Sequence, residues 1–336
     1  MSQLQDRIAG ALAGMVLGDA FGVPGELWPR AKVRERFGRI TEFLDGPADN
    51  IVACYFKAGH YTDDSAQAFV VLNAIEAAGT VPPVQTLAKD LIAWVESMNG
   101  FEINLLGPSS KASLLAWVKG EDALPVTKLS LTNGAAMRIA PVGCLIEAGE
   151  HEKIAEAAAR VSRVTHSTDV TIAGAAMVAQ AVASGVAGRS WEQTLADVKT
   201  IFPIASAKGE PTWAASILAR LEVFEELVLK RREAYDDEAV SRFIYDVIGT
   251  GTMTSESVTA ALALAFWAQN PKKAAEIAAN MGGDTDTIGC MAAAICAHCG
   301  IGGIAAETVE FLEKTNGLHF GELAQGVMKT RAVFTL

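Results

Sequence analysis

The sequence has no surplus of basic residues. Its 28 Lys and Arg residues are outnumbered by 39 Asp and Glu residues in a chain of 336, which gives a formal net charge of −11. Proteins that bind nucleic acid usually carry a basic surplus or a basic stripe that contacts phosphates. The charge balance therefore argues against nucleic acid as a partner. The acidic surplus is either ordinary solubilising charge or, in part, carboxylates gathered around a cation.

Cysteine is also scarce: the chain has only five, and their odd number and wide spacing do not suggest a disulfide framework. We therefore expect a reduced, cytoplasmic protein. The apolar run after Arg7 resembles a short signal peptide, but Asp6 cancels its positive charge and Gly18-Asp19 ends it without a cleavage site, so a buried first helix is preferred. No apolar run reaches the roughly 18 residues of a membrane span, and no membrane partner is expected.

Strand-like alternation and long Gly- or Pro-rich linkers are missing as well. Apolar residues recur instead at helical spacing, as at Leu87, Leu91 and Val95. Half of the residues are hydrophobic, which allows a large core and argues against disorder. The sequence predicts an all-α fold in which residues 1–336 form a single compact multi-helix domain. Its closely packed helices include five alanine-rich segments, at 155–160, 173–187, 260–268, 274–279 and 292–297.

Two pairs of aspartates lie just before alanine-rich helices, in Thr62-Asp63-Asp64-Ser65 and in Gly283-Asp284-Thr285-Asp286-Thr287. Each motif alone fits helix capping. A cap needs one side-chain oxygen, however, and each motif supplies two carboxylates together with Thr hydroxyls. If the two helix starts converge, four carboxylates would repel one another unless they were protonated or neutralised by cations. Oxygen ligands without His or Cys favour Mg²⁺, Mn²⁺ or Ca²⁺ over zinc.

A third acidic element is Glu26, which follows a Gly- and Pro-rich turn after the predicted first helix. A carboxylate on a loop beside metal ions can activate water. The alternative is a surface glutamate after a turn. By contrast, Cys296-Ala297-His298-Cys299 continues an apolar helix as a single CxxC pair, so we interpret it as packing and not as a metal or redox site.

Together these motifs resemble the ADP-ribosylglycohydrolase family, which includes dinitrogenase reductase-activating glycohydrolase and the ADP-ribosyl-acceptor hydrolases. The resemblance extends almost from end to end, and its specificity lies in the order and spacing of the motifs. In chain order they lie at 18–22 with Glu26, 62–65, 133–138, 165–166, 256–258 and 282–289.

The resemblance implies a compact all-α domain with a dinuclear centre of two Mg²⁺ (or Mn²⁺) ions. The metal ligands that it implies are Thr62, Asp63, Asp64, Asp284, Asp286 and Thr287, with Asp286 as the bridge. It also implies that a catalytic carboxylate, Glu26 or Asp64, steers water to the anomeric carbon. The substrate-binding residues expected around this centre are Asp19, Trp28, Asn133, Gly134, His166 and Gly283, among which Trp28 could stack on a base or a nicotinamide-like leaving group.

The reaction implied by the resemblance is metal-dependent hydrolysis of an N- or O-glycosidic bond to ribose in an ADP-ribose conjugate. One departure from the family pattern concerns the leaving group. The segment 129–132 lacks the Asp that arginine-directed members place before Asn133, which argues against ADP-ribosyl-arginine. Two alternatives stay open: a hydrolase of nucleosides or other small ribosides, and a non-catalytic ADP-ribose-binding or structural member. The oligomeric state is not predicted.

Overall fold

The computed structural model describes all residues, 1–336, and consists of helices without a β-sheet. The expected all-α fold is therefore confirmed. The helices are α1 Gln3–Gly22, α2 Arg30–Phe37, α3 Asp63–Ala78, α4 Val84–Ser97, α5 Pro108–Val118, α6 Leu124–Thr127, α7 Gly134–Met137, α8 Ala140–Leu145, α9 His151–Ser162, α10 Asp169–Ala187, α11 Trp191–Ser206, α12 Ile217–Leu227, α13 Asp237–Phe243, α14 Thr254–Ala268, α15 Pro271–Ala279, α16 Thr285–Ile295, α17 Ala306–Asn316 and α18 Phe320–Arg331. Short 3-10 segments lie at Val23–Gly25, Ala53–Tyr55, Leu229–Ala234, Cys296–Cys299 and Ile301–Gly303, and a π-helical turn lies at Ile244–Ile248.

The alanine-rich segments are helical, as predicted, and belong to α9, α10, α14, α15 and α16. Local signals explain the ends of α10: the Thr168 side chain accepts a hydrogen bond from the backbone N–H of Thr171, and Gly188 adopts the left-handed conformation after the last turn. One boundary differs from the prediction, because α16 ends at Ile295 and the residues Cys296–Cys299 form a 3-10 turn.

One continuous apolar core of 92 buried residues extends from Ile8 to Phe334. The core therefore includes residues near both ends of the chain. By length and composition alone, the helical segments Gln3–Gly25 and Asp169–Ala187 are apolar enough to cross a membrane. Their apolar windows are nevertheless 100% and 94% buried inside the protein. The first helix is therefore a buried core helix, as expected.

Glycines on one face of α1 allow α16 to approach its backbone. A Cβ atom at Gly18 would lie 1.9 Å from the carbonyl oxygen of Gly289, and one at Gly22 would lie 2.3 Å from the Cα of Asp286. Such distances leave no room for any side chain. Because nothing separates the two helices, the end of α1 lies directly against the start of α16, where Asp284 and Asp286 are found.

Candidate metal centre and active site

The first aspartate pair lies at the start of α3, where the helix cap is complete without it. Thr62 is the N-cap residue, and its hydroxyl accepts a hydrogen bond from the backbone N–H of Asp64 at 3.3 Å. Asp19 on α1 completes the cap, since its carboxylate oxygens accept from the backbone N–H groups of Thr62 at 2.9 Å and Ser65 at 3.0 Å. The carboxylates of Asp63 and Asp64 are therefore not needed to cap the helix.

The second pair lies at the start of α16, and Asn133 orients one of its members. The Asn133 side chain donates hydrogen bonds to the carboxylate of Asp284 and, at 2.9 Å, to the hydroxyl of Ser257. Asp286 accepts from the backbone N–H of Thr287 at 2.8 Å. Asn133 thus connects the loop before α7 with both α14 and the start of α16, which holds the Asp284 carboxylate in one orientation.

The two aspartate pairs converge on one cleft with a volume of about 250 Å³. Asp63 and Asp64 line it from α3, Asp284 and Asp286 line it from α16, and Glu26 lines it from the turn after α1. Carboxylate oxygens of Glu26, Asp284 and Asp286 lie within 4.8 Å of one another. Five acidic side chains from three parts of the chain therefore surround a small space.

Burial and mutual repulsion raise the pKa of the carboxyl groups around the cleft. Burial raises the pKa of Asp284 to about 6. Burial, followed by the charges of Asp19 and Asp284, raises the pKa of Asp63 to about 8. The pKa of Glu26 is raised well above its usual range by burial and then by the charges of Asp286 and Asp284. Without a cation, the ionised form of this cluster is therefore disfavoured at neutral pH.

Asp64 has an unsatisfied oxygen in this environment. Its Oδ2 is buried without a hydrogen-bond partner, and burial together with the charge of Asp286 raises its pKa well above the usual range. Asp64 also lies within 4.8 Å of Asp19 and Cys290, but both Asp19 oxygens accept backbone hydrogen bonds and Cys290 contributes a soft thiol. An oxygen-only set with an orphaned carboxylate oxygen fits a hard divalent cation on the cleft side of Asp64.

Comparison with known proteins shows the family of the chain. A model of the ADP-ribosylglycohydrolase family matches residues 1–333. The chain belongs to this family. Its relatives include YegU of Escherichia coli (strain K12), described as an uncharacterized protein, which is 40% identical over 329 residues that make up 97% of each chain. ADP-ribosylarginine hydrolase Tri1 of Pseudomonas putida (strain GB-1) is 24% identical over 336 residues, covering 96% of this chain and 78% of that protein.

A solved structure described as an ADP-ribosylglycohydrolase-related protein complex shares the fold. It matches with a TM-score of 0.71 and 19% sequence identity, and the match covers 100% of both chains. The family predicted from the motifs is therefore confirmed, together with its helical architecture.

In this member of the family, several residues expected to bind substrate lie behind the cleft. Asp19 is fully buried and caps α3. The Trp28 ring is only 7% exposed and stacks on Phe37 with the ring centroids 6.2 Å apart, while the Lys32 ammonium lies 3.6 Å from its centre. The structure does not support stacking of Trp28 on a leaving group, because neighbouring side chains already cover the ring.

The main chain of Trp28 has a positioning role instead. The N–H of Leu27 donates to the carbonyl oxygen of Gly283 at 2.7 Å, and the N–H of Gly283 donates to the carbonyl oxygen of Trp28 at 2.9 Å. Leu27 has a φ of 54°, which is an uncommon conformation for a residue with a side chain and is often found at functional sites. This pairing holds the loop that carries Glu26 against the start of α16. Gly283 therefore acts through its backbone and does not line the cleft.

His166 also lies behind the cleft, although the Asn133-Gly134 loop in front of it does line the space. The ring is fully buried, with Nε2 at 3.0 Å from the hydroxyl of Thr132 and Nδ1 at 2.7 Å from the hydroxyl of Thr165. Of the predicted metal ligands, Thr287 lines the cleft, whereas Thr62 lines an adjoining cavity that also contacts Asp63. Direct contact of His166 with substrate would require the loop to open.

Sequence reasoning missed the role of Arg138. This side chain is fully buried; its Nη1 donates to the Gln67 side chain at 2.9 Å, and its Nη2 donates to the Thr165 hydroxyl at 2.6 Å. Gln67 in turn donates to Asp63 at 2.9 Å. The buried positive charge of Arg138 is therefore connected to the carboxylate cluster through the side-chain amide of Gln67. The only sequence signal was its position at the end of the Asn-Gly motif, which does not indicate burial.

Proposed function

We propose that the protein hydrolyses a glycosidic bond to ribose in an ADP-ribose conjugate, attached to a protein or to a small molecule, in a metal-dependent reaction. The observation that carries the proposal is the convergence of five carboxylates on one cleft, from Glu26, Asp63, Asp64, Asp284 and Asp286. Membership of the ADP-ribosylglycohydrolase family supports the same activity. We also propose a single domain over residues 1–336, a cytoplasmic location and no nucleic-acid or membrane partner.

The proposed cofactor is a pair of Mg²⁺ or Mn²⁺ ions. The side chains that would hold them are Thr62, Asp63, Asp64, Asp284, Asp286 and Thr287. When bound, divalent ions supply Lewis acidity, which orients the sugar hydroxyls and lowers the pKa of coordinated water. The orphaned oxygen of Asp64 and the raised pKa values in the cleft support this assignment, since both conditions are relieved when a cation balances the charge.

The chain's own carboxylates would perform the remaining chemistry. Cleavage at the anomeric carbon develops oxocarbenium character, which adjacent carboxylates stabilise. Glu26 is the preferred group to take a proton from the attacking water, because it lies on a loop beside Asp284 and Asp286. The water oxygen would bond to C1 as the bond between C1 and the leaving group breaks, and the leaving group would take up the proton that the carboxylate removed from the water. Asp64 is the second candidate for the base.

A second candidate function is hydrolysis of nucleosides or other small ribosides. The volume of the cleft, about 250 Å³, favours it, since sites for larger ligands commonly occupy about 300–1,000 Å³. The segment 129–132 supplies no carboxylate beside Asn133, so we do not propose arginine as the leaving group. No structural observation favours a non-catalytic member, because buried like charges destabilise a protein unless a cation compensates them.

The test is a substrate panel with Mg²⁺ or Mn²⁺ that includes ADP-ribosyl-arginine, ADP-ribosyl-serine, O-acetyl-ADP-ribose, ADP-ribose 1″-phosphate and nucleosides. Asp284→Ala should abolish turnover, while Asp90→Ala, which removes an exposed carboxylate on α4, should not. Turnover that survives both Asp284→Ala and complete chelation would contradict the metal mechanism. Tight ADP-ribose binding without turnover of any compound would favour the non-catalytic alternative.

A further inference from the structure

The cleft is lined by hydroxyl side chains as well as by carboxylates. Ser110, Thr132 and Thr252 all contribute to its wall. Thr132 is half-buried, and its hydroxyl lies 3.0 Å from Nε2 of the buried His166. The chain of hydrogen bonds behind it continues from His166 to Thr165 and on to Arg138. Each of these groups has a limited set of donors and acceptors, so these sets determine which group donates and which accepts in each hydrogen bond.

The direction of these hydrogen bonds is set at the buried end of the series, at Arg138. An arginine side chain only donates hydrogen bonds, so the Thr165 hydroxyl oxygen accepts from Arg138. The hydroxyl proton of Thr165 then points to Nδ1 of His166, at 2.7 Å. If Nδ1 carried the proton instead, Thr165 would accept twice and its own proton would have no acceptor, which is costly for a fully buried group.

This direction determines the tautomer of His166 and makes the hydroxyl oxygen of Thr132 an acceptor. With Nδ1 as acceptor, the single ring proton lies on Nε2 and is donated to the hydroxyl oxygen of Thr132. Burial, followed by the charge of Arg138, lowers the pKa of His166 well below its usual range, so the ring stays neutral at physiological pH. The hydroxyl proton of Thr132 is then available to an acceptor in the cleft.

We propose that Thr132, oriented through His166 and Thr165 by the buried Arg138, is a hydrogen-bond donor that binds an acceptor oxygen of the substrate. The acceptor is a phosphate oxygen or a carbonyl oxygen of the leaving group. A guanidinium group offers no acceptor and would leave the Thr132 proton unpaired. This subsite rests on the proposed function, because its ligand is a riboside bound in the same cleft.

The surrounding loop leaves space for such a ligand atom. A Cβ atom at Gly134 would lie 2.8 Å from the Ser110 hydroxyl oxygen and 2.9 Å from Cε1 of His166. Any side chain at 134 would therefore push against both. Glycine at this position keeps the Ser110 hydroxyl close to the loop that carries Thr132.

The first test is spectroscopic and does not depend on turnover. In protein labelled with ¹⁵N at its five histidines, His166 should be the Nε2-protonated tautomer at neutral pH and should remain neutral as the solution is acidified. The signals of His166 can be assigned because they disappear in His166→Gln. If that variant does not fold, the other four histidines can be substituted one at a time, and the signals that persist in every variant belong to His166. An Nδ1-protonated or doubly protonated His166 in the wild type would overturn the proposed direction of the hydrogen bonds from Arg138 to Thr132.

The second test measures ligand affinity by calorimetry in Mg²⁺. Thr132→Val should weaken binding of the ligand that carries the acceptor by about two- to tenfold, as expected for loss of one hydrogen bond, and Thr132→Ser should not. Ribose 5-phosphate compared with ribose tests the phosphate source, and nicotinamide riboside compared with ribose tests the carbonyl source. Equal affinities of wild type and Thr132→Val for all three compounds would overturn the subsite. Absence of binding by the wild type would contradict the proposed function and the subsite together. The spectrum would still decide, by itself, the tautomer of His166 and thus the direction of the hydrogen bonds.

Discussion

The backbone N–H of Thr62 donates a hydrogen bond to the carboxylate of Asp19 at 2.9 Å, which joins the end of α1 to the start of α3. The second oxygen of the same carboxylate accepts from the N–H of Ser65 at 3.0 Å. Asp19 thereby replaces the capping that Asp63 and Asp64 would otherwise provide. The two aspartates are left to face the cleft because a third one, 43 residues before Thr62, satisfies the helix end.

Asp19→Ala should therefore weaken both the fold and the metal site. Loss of two buried hydrogen bonds at a helix N-terminus is expected to lower the free energy of unfolding by about 1–3 kcal/mol. Thermal unfolding measures this loss, and calorimetric titration with Mn²⁺ measures the affinity of the site. Asp90→Ala on the exposed face of α4 is the control. Wild-type stability and Mn²⁺ affinity in Asp19→Ala would show that the cap does not position the carboxylates.

Gly18→Ala should be strongly destabilising although alanine favours helices. The new Cβ atom would lie 1.9 Å from the carbonyl oxygen of Gly289, so α1 and α16 would have to separate. Overpacking of this kind typically costs about 1–3 kcal/mol and occasionally more. Gly321→Ala in α18 is a matched control, because its Cβ atom would meet nothing closer than 4.0 Å and should stabilise the helix by up to about 1 kcal/mol. Equal unfolding temperatures of the two variants would contradict close packing of α1 and α16.

The metal-free protein should lose stability as the pH rises. The pKa values of Asp19 and Asp284 are raised from 3.8 to about 6, and that of Asp63 is raised to about 8. A carboxyl group whose pKa is higher in the folded state binds its proton more tightly there, so its contribution is complete at low pH and is lost as the pH passes through the folded value. The free energy of unfolding in EDTA should fall between about pH 4 and pH 8, apart from the general loss at strongly acid pH.

Added Mg²⁺ or Mn²⁺ should remove most of this decrease at the upper end of the range, because the cation replaces the protons. Proton release on metal binding, measured by calorimetry in buffers of different ionisation enthalpy, provides an independent check. A metal-free protein that is as stable at pH 8 as at pH 5 would show that the carboxylates are not crowded in the way described.

Glu26→Gln should separate catalysis from metal binding. Glutamine keeps the shape of the side chain but cannot take a proton from water, so kcat on the substrate found in the panel should fall by about 10²- to 10⁴-fold. Mn²⁺ affinity should change much less than in Asp286→Asn, which alters a predicted bridging ligand. If Glu26→Gln lost the metal as completely as Asp286→Asn, Glu26 would be a ligand and Asp64 the better candidate for the base.

The amino-acid sequence alone determined the helical character of the chain and the chemistry of its acidic motifs. Spacings of three and four residues and runs of alanine are local properties, and they predicted helices at the alanine-rich segments that lie in α9, α10, α14, α15 and α16. The surplus of carboxylates at two helix starts also indicated a cation site, because capping accounts for only one oxygen at each. These inferences need only a residue and its near neighbours in the chain.

Only the tertiary structure decided which side chains face the cleft. Trp28 and His166 lie in motifs beside the site, yet both rings are buried behind it, and Arg138 contacts the cluster through Gln67 from 71 residues away. Asn133 likewise meets Asp284 across 151 residues of sequence. Such contacts depend on how distant helices pack. The physical reason is that the direction of a side chain is set by the shape of the surrounding core, which no local pattern of residues describes.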